Sequence, residues 1–367
     1  MLRRILHRIH LWAGLTLCIP LVMLGITGSI LVFQHELENS VTPHPVMAVG
    51  NVHSAGEIID AARAAAPDGF SPSMFHPGDT GEPAAVYFSK TSRKKPASGG
   101  QGARVQMLVD PVSLVIITKD SSGGFIHQIH DLHANLMLRD YGGRNIVGWF
   151  GVAMLAFGIS GLILWWPRRG NWKQAFTIKQ GTRGFRLHRD LHGVTGIWGL
   201  AVFITVSFSG VYLAFPQAMD AAFSVRDLRS PPAIESEPVE GQVSMPVDEV
   251  IRLAQRTLAG SKMVSVTLPA KPEQPYRVSL LHPDDREGAP VTNIFIDPWA
   301  KQIIEVRDPS TYTAGEKLIT WQHALHSGHG FGWLWKALVF AMGFMPLLFS
   351  FTGISMWLIK KRKNGMA

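Results

Sequence analysis

The sequence predicts an integral membrane α-helical protein, with four transmembrane helices from a tandem repeat and two exported α+β lobes. Three observations predict it. Apolar residues make up 46% of the 367-residue chain and charged residues only 17%, against roughly 25% in soluble domains. The deficit lies in four uncharged stretches, Leu11 to Phe33, Asn145 to Trp166, Val194 to Phe215 and Ala337 to Ile359. Each is long enough to cross a bilayer core as a helix, which takes about 20 apolar residues. The second half of the chain also repeats the motif order of the first. A soluble enzyme, a fibrous protein and a disordered chain are excluded.

The net charge of +8 is unevenly spread. Arg3, Arg4 and Arg8, the segment from Arg168 to Arg189, and Lys360 to Lys363 together hold fourteen basic residues against one acid, Asp190. Cytoplasmic loops carry such an excess. Both termini are therefore expected in the cytoplasm and both long connections in the periplasm of a bacterial inner membrane. This placement removes the case for nucleic-acid binding. The apolar run after the basic N-terminus exceeds the 7–15 residues of a signal-peptide h-region, and no A-x-A-like site follows, so it reads as a retained span. Cys18, the only cysteine, lies inside it. Disulfides, thiolate metal sites and covalent C-x-x-C-H haem attachment are thereby excluded.

The elements follow in order. Residues 1–35 form the first span, 36–144 the first periplasmic lobe, 145–167 the second span and 168–190 a cytoplasmic loop. Residues 191–216 form the third span, 217–332 the second periplasmic lobe, 333–360 the fourth span and 361–367 a cytoplasmic tail. In the first lobe, Ser54-Ala-Gly-Glu57 is a capping box opening a helix to Ala66. Strand patterns follow at Ala84 to Ser89, Arg104 to Asp110 and Leu114 to Lys119, with a Pro/Gly/Ser-rich linker at Lys94 to Gly102. In the second lobe a helix from Pro246 to Leu258 precedes strands near Met263 to Leu268, Tyr276 to Leu281, Val291 to Asp297 and Gln302 to Arg307. Pro231 to Pro246 reads as irregular.

The repeat appears in pieces. His10 and His192 open spans one and three, and Thr27-Gly28 and Ser209-Gly210 stand 18 residues later in both. Spans two and four close on Ser160-Gly161 and Thr352-Gly353, each followed by a tryptophan. His130-Asp-Leu-His133 and His323-Ala-Leu-His326 precede those same spans. Both halves run span, lobe, span, which makes them parallel repeats.

Histidines carry the candidate chemistry. An ionisable residue at membrane depth is a functional hypothesis, although interfacial histidines also anchor spans and cap helices. The repeat supplies one histidine from each half to each membrane face: His10 with His192 inside, His133 with His326 outside. Two imidazoles from facing helices suit a six-coordinate haem. Without cysteine attachment, that means two non-covalent b-type haems. The choice among His7/His10, His188/His192, His130/His133 and His323/His326/His329 stays open at this level. Glycines at 14, 28, 158, 161, 196, 199, 210, 343 and 353 either let backbones approach or leave room for a macrocycle. Arg139 and Arg144 outside, and Arg186 and Arg189 inside, are candidate propionate partners; ordinary interfacial charge explains them equally. The tryptophans near the span ends form the usual aromatic belts.

Arg8-Ile-His10-Leu-Trp-Ala-Gly14, Asp190-Leu-His192, Leu132-His133-Ala-Asn-Leu and Leu325-His326-Ser-Gly, with the closing Ser/Thr-Gly…Trp patterns, resemble the PepSY-associated transmembrane proteins, also called iron-regulated membrane proteins. The resemblance covers nearly the whole chain and makes the lobes PepSY-like. It implies a di-haem inner-membrane reductase acting on ferric siderophores in the periplasm, with His10, His192, His133 and His326 as haem ligands. The segment between spans two and three is too short for a nucleotide-binding βαβ unit, so the electron donor is a quinol or a separate reductase. Two other classes compete. A siderophore or metal carrier would use the histidines as transient ligands, but the spans lack broken, midplane-charged helices, Pro20 and Pro346 being the nearest candidates. A periplasmic binding or sensing protein leaves the paired histidines without a role.

Overall fold

A computed structural model describes residues 1–41, 48–79, 81–90, 104–120, 124–167, 170–228, 242–286 and 288–365, with 232, 236 and 238 between them. The Lys94 to Gly102 linker, Arg168 and Arg169, and much of the stretch from 229 to 241 lie outside the described residues. The chain divides into two compact units: residues 1–36, 128–219 and 322–367, and residues 37–127 and 220–321.

The first unit is helical. Its long helices are α1 (Leu2–Val32), then, counting α2 (Gln34–Val41), α3 (Ala55–Ala64) and α4 (Phe125–Asn135) between, α5 (Gly143–Trp165). After α6 (Trp172–Ala175) comes α7 (Gly184–Ala214). Beyond α8 (Pro216–Ala222), α9 (Val247–Thr257), α10 (Ala314–Thr320) and α11 (Gln322–Ser327), the last pair is α12 (Trp333–Gly343) and α13 (Met345–Gly365). Four segments are long and apolar enough to cross a membrane: 2–32, 143–165, 184–214 and 333–363. Their outward faces carry large apolar side chains such as Ile19, Trp198 and Phe351.

Two details differ from a plain reading of hydropathy. The helix of span three starts at Gly184, so Arg186, His188, Arg189 and Asp190 are helical rather than in a loop. A membrane helix can extend past the apolar core, because its backbone bonds are satisfied internally. Pro20 sits inside an unbroken α1. At Pro346 the fourth span instead divides at Phe344 into α12 and α13, where the missing N–H removes a helical bond. α1 packs on α5, α12 and α13, and α7 packs on α5 and α13. One crossing is a true close approach: a Cβ on Gly25 would lie 2.2 Å from the Gly343 carbonyl oxygen, and Ser29 donates to the Phe340 carbonyl at 2.8 Å.

The second unit is built on one antiparallel sheet. Its strands are β1 (Phe70–His76), β2 (Ala84–Lys90), β3 (Arg104–Val109), β4 (Ile116–Asp120), β5 (Lys262–Thr267), β6 (Tyr276–Leu281), β7 (Thr292–Asp297) and β8 (Gln302–Arg307). The order is β4-β3-β2-β1-β5-β6-β7-β8. The two expected α+β lobes are thus joined in a single sheet through β1 and β5, which pair Met74 with Thr267 and Phe75 with Val266. β1 is the strand that alternation did not reveal. It contains Pro72, and its register against β2 slips between Pro72 and Met74, as expected where a proline interrupts a ladder. α3 and α9 pack apolar side chains, including Ile58, Ile59, Val250 and Ala254, against Phe75, Val86, Val266 and Val278 of the sheet. The Ser54/Glu57 capping box is present, and the Gly56 N–H of α3 donates to Asp248 of α9 at 3.0 Å.

Candidate cofactor site

The first unit brings the four motif histidines together in two pairs. The ring centroids of His10 (α1) and His192 (α7) are 6.3 Å apart, and those of His133 (α4) and His326 (α11) are 6.0 Å apart.

Each ring is held the same way. His10 Nδ1 lies 2.8 Å from Ser160 Oγ, His192 Nδ1 2.8 Å from Thr352 Oγ1, His133 Nδ1 3.0 Å from Thr27 Oγ1 and His326 Nδ1 3.1 Å from Ser209 Oγ. A hydroxyl has one proton to donate. All four donate theirs to a carbonyl of their own helix: Ser160 to Phe157, Thr352 to Leu348, Thr27 to Met23 and Ser209 to Val206. The imidazoles must therefore donate from Nδ1. For His326 the point is independent, because Nδ1 also meets the Val206 carbonyl oxygen at 3.0 Å, and a carbonyl only accepts. Each Nε2 keeps its lone pair, and a hydrogen bond at the other nitrogen is what normally fixes a metal-binding tautomer.

The separations can be tested against a metal. An imidazole nitrogen binds a metal at about 2.0 Å and lies about 1.1 Å from its ring centre, so two imidazoles on opposite sides of one metal put their centroids about 6.2 Å apart. Both pairs fit. Among the described residues no group of three or more His, Cys, Asp or Glu side chains forms a metal site. A metal held by such a pair needs its remaining donors from elsewhere, and a macrocycle supplies four. The donor set therefore suits haem.

The glycines separate into two kinds. At Gly14 and Gly353 an added Cβ would meet nothing within 4 Å, while at Gly161 and Gly196 the nearest atoms, His10 Cε1 and Phe349, lie at 3.8 Å. These four line a cavity of about 280 Å³ that also exposes His10 and His192. They clear space rather than bring backbones together, as Gly25 and Gly343 do. In the other pair the space is already taken: Cβ atoms on Gly28 and Gly210 would lie 2.9 Å from His133 Cε1 and 3.1 Å from His326 Cε1. Burial, then the neighbouring His326 and His130, pushes the His133 imidazole down to about 3, and burial lowers His326 as well. Both are neutral, the form that binds metal; α4 and α11 lie outside the four spanning helices.

The remaining candidates are placed elsewhere. His7 lines the same cavity, His188 packs on Phe351, and His329 meets His35. Arg189 binds Asp190 at 2.9 Å, Arg186 approaches the same carboxylate at 3.6 Å, Arg139 pairs with Asp131, and Arg144 donates to the Leu213 carbonyl. Besides His10 and His192, the basic groups that line the cavity are Lys360 and His7. Thr27, Ser160, Ser209 and Thr352 have no chemical role that the sequence alone reveals. Their signal was the Ser/Thr-Gly dipeptide itself, read there as a mark of repetition.

Fold and site define a class: a multi-pass membrane protein that presents two facing histidine pairs, each held in one tautomer by a helix hydroxyl. The chain belongs to the PepSY-associated TM region family, whose family model matches residues 7–360. It is also similar to the uncharacterized protein PA4219 of Pseudomonas aeruginosa, at 29% identity over 176 residues. That stretch covers 43% of this chain and 39% of that protein, so the chain spans about two fifths of the length of this curated relative.

Proposed function

We propose that the chain is a di-haem reductase of the bacterial inner membrane, with cytoplasmic termini, that reduces the ferric iron of siderophores in the periplasm. The observation that carries this reading is the common state of the four histidines: two facing pairs, each ring donating from Nδ1 to a hydroxyl. The parallel roles of Ser160 and Thr352, and of Thr27 and Ser209, support descent from a tandem repeat. His10 and His192 would hold the inner haem, His133 and His326 the outer one. Haem supplies one-electron transfer when bound. The chain fixes the ligand tautomers, keeps the glycine-lined space open and excludes water with apolar walls. The charge asymmetry of the loops supports a periplasmic sheet unit, which would meet the siderophore. Hard oxygen donors hold ferric iron better than ferrous, so one-electron reduction loosens it. A quinol or separate reductase would supply the electrons. The histidine motifs resemble those of the siderophore reductase FoxB.

The test is a pyridine haemochrome assay on purified, folded protein. Two b haems per chain are expected, and folded protein free of haem would refute the reading.

A further inference from the structure

A third histidine pair in the helical unit belongs to neither cross-repeat match. His35 lies on α2 just beyond α1, and His329 lies between α11 and α12. Their ring centroids are 6.0 Å apart, the separation of the His133–His326 pair and close to the ~6.2 Å of two imidazoles on one metal. The loop carrying His329 is shaped to bring it there. Gly328, Gly330 and Gly332 have φ of 83°, 84° and 78°, where only glycine is unstrained. A Cβ on Gly328 would lie 3.3 Å from Lys336 Cα and 3.5 Å from Val32 Cγ1, so the loop is pressed against the ends of spans one and four.

A carboxylate stands beside the pair. Glu36 follows His35 and is bonded to the Lys336 ammonium, which lies 5.0 Å above the Phe33 ring. As the side chains stand, no three donors converge, because Glu36 is already holding a cation, the lysine. His35 is exposed and reachable from solvent. A ring contact beside a surface ion pair would account for the contacts alone. It does not account for three left-handed glycines spent on placing one histidine.

We propose that His35 and His329, completed by Glu36 turning away from Lys336, form a binding site for a divalent first-row transition-metal ion. Imidazole and carboxylate donors suit such ions, ferrous iron included. The site lies three residues on from His326. On the reductase reading, which this role but not the binding rests on, ferrous iron freed from oxygen donors would meet imidazoles here.

The test uses the purified full-length chain in detergent, with Cu²⁺ as the probe, titrated and followed by electron paramagnetic resonance. With the other two pairs filled by haem, or interrupted as His10→Gln and His133→Gln where no haem is taken up, one saturable copper per chain coupled to two ¹⁴N nuclei is expected. His35→Gln and His329→Gln should each abolish the two-nitrogen pattern and weaken binding by more than the roughly 10- to 100-fold that losing an outer-sphere partner costs. Glu36→Gln should keep both nitrogens but weaken binding, and Lys336→Met, which frees the carboxylate, should tighten it. Absence of a saturable site, or a two-nitrogen pattern surviving in either histidine variant, overturns the proposal. Haem content measured on the same samples separates the two ideas: copper bound by protein that never takes up haem leaves this site standing and refutes the reductase.

Discussion

Thr352→Val should loosen the inner haem, by an amount the hydrogen bonds set. Thr352 is fully buried and its Oγ1 is the acceptor of His192 Nδ1 at 2.8 Å. Valine keeps the shape and removes the acceptor. With haem bound, Nε2 is committed to iron and the imidazole proton must stay on Nδ1, facing a methyl group. A buried donor left unsatisfied costs about 1–3 kcal/mol. Without haem the ring can shift its proton to Nε2 and avoid most of that penalty. The loss therefore appears as faster haem release, about 5- to 150-fold in equilibrium terms. Ser209→Ala at the outer pair is the control. His326 Nδ1 keeps the Val206 carbonyl at 3.0 Å, so the cost is at most that of one net hydrogen bond, about 0.5–1.5 kcal/mol. The assay is transfer of haem to excess apomyoglobin, followed by absorbance, with Thr352→Ser as the rescue. Wild-type retention in Thr352→Val would refute the tautomer argument. Equal losses in the valine and serine variants would show that packing at the site matters as much as the hydroxyl acceptor.

Other outcomes follow from the same geometry. Gly343→Ala places a Cβ 2.0 Å from Ser29 Oγ and 2.5 Å from the Gly25 carbonyl oxygen. It should destabilise the bundle by about 1–3 kcal/mol or more, whereas Gly353→Ala, with nothing within 4 Å, should leave the thermal unfolding midpoint level or higher; equal losses would contradict the open space at Gly353. His326→Ala should halve the haem content and slow reoxidation of the reduced protein by a ferric siderophore, and reoxidation at the wild-type rate would remove the outer pair as the exit site. In the sheet unit, the backbone N–H of Thr313, and after it Arg226, hold the Glu316 carboxyl below the ordinary value of 4.5. The stability it contributes is present above that value and is lost as pH falls through the lowered one. Amide protection factors across 314–320, which remove the intrinsic pH dependence of exchange, should fall in acid in the wild type and be flatter with pH in Glu316→Gln; matching profiles would clear Glu316 of that role.

The four spans were legible because hydropathy over 22 or 23 residues is a local property of the sequence. Seven of the eight strands were legible from alternation. β1 was not, since Pro72 breaks the pattern, and its pairing with β5 links residues nearly 200 positions apart, which no local signal encodes. The choice of proline was also hidden. Pro20 and Pro346 look alike in sequence, yet only the second coincides with a helix break, because neighbouring helices decide whether the freed carbonyl is tolerated. At the site, spacing and repetition pointed to His10, His133, His192 and His326 among eleven span-edge histidines. Arg189 illustrates the opposite case: its neighbour Asp190 engages it at 2.9 Å, a contact that a candidate chosen by charge and position does not reveal.

The Ser/Thr-Gly dipeptide explains why the site needs two adjacent residues rather than one. On a helix, the hydroxyl bonded to its own i−3 or i−4 carbonyl is fixed in direction, and its lone pairs face the neighbouring helix that carries the histidine. In the outer pair the next residue is close to the same imidazole, so any side chain there would compete with the ring. The outer pair shows this directly, since Cβ atoms on Gly28 and Gly210 would fall 2.9 and 3.1 Å from Cε1 of the rings that Thr27 and Ser209 hold. In the inner pair the same dipeptide leaves Gly161 at 3.8 Å from His10 and Gly353 in open space, because there the cavity lies beside the rings. One dipeptide thus orients a histidine in all four positions, and what its glycine makes room for depends on which helix supplies the histidine. α1 and α7 carry His10 and His192 within the spans, whereas the short helices α4 and α11 bring His133 and His326 in from outside them.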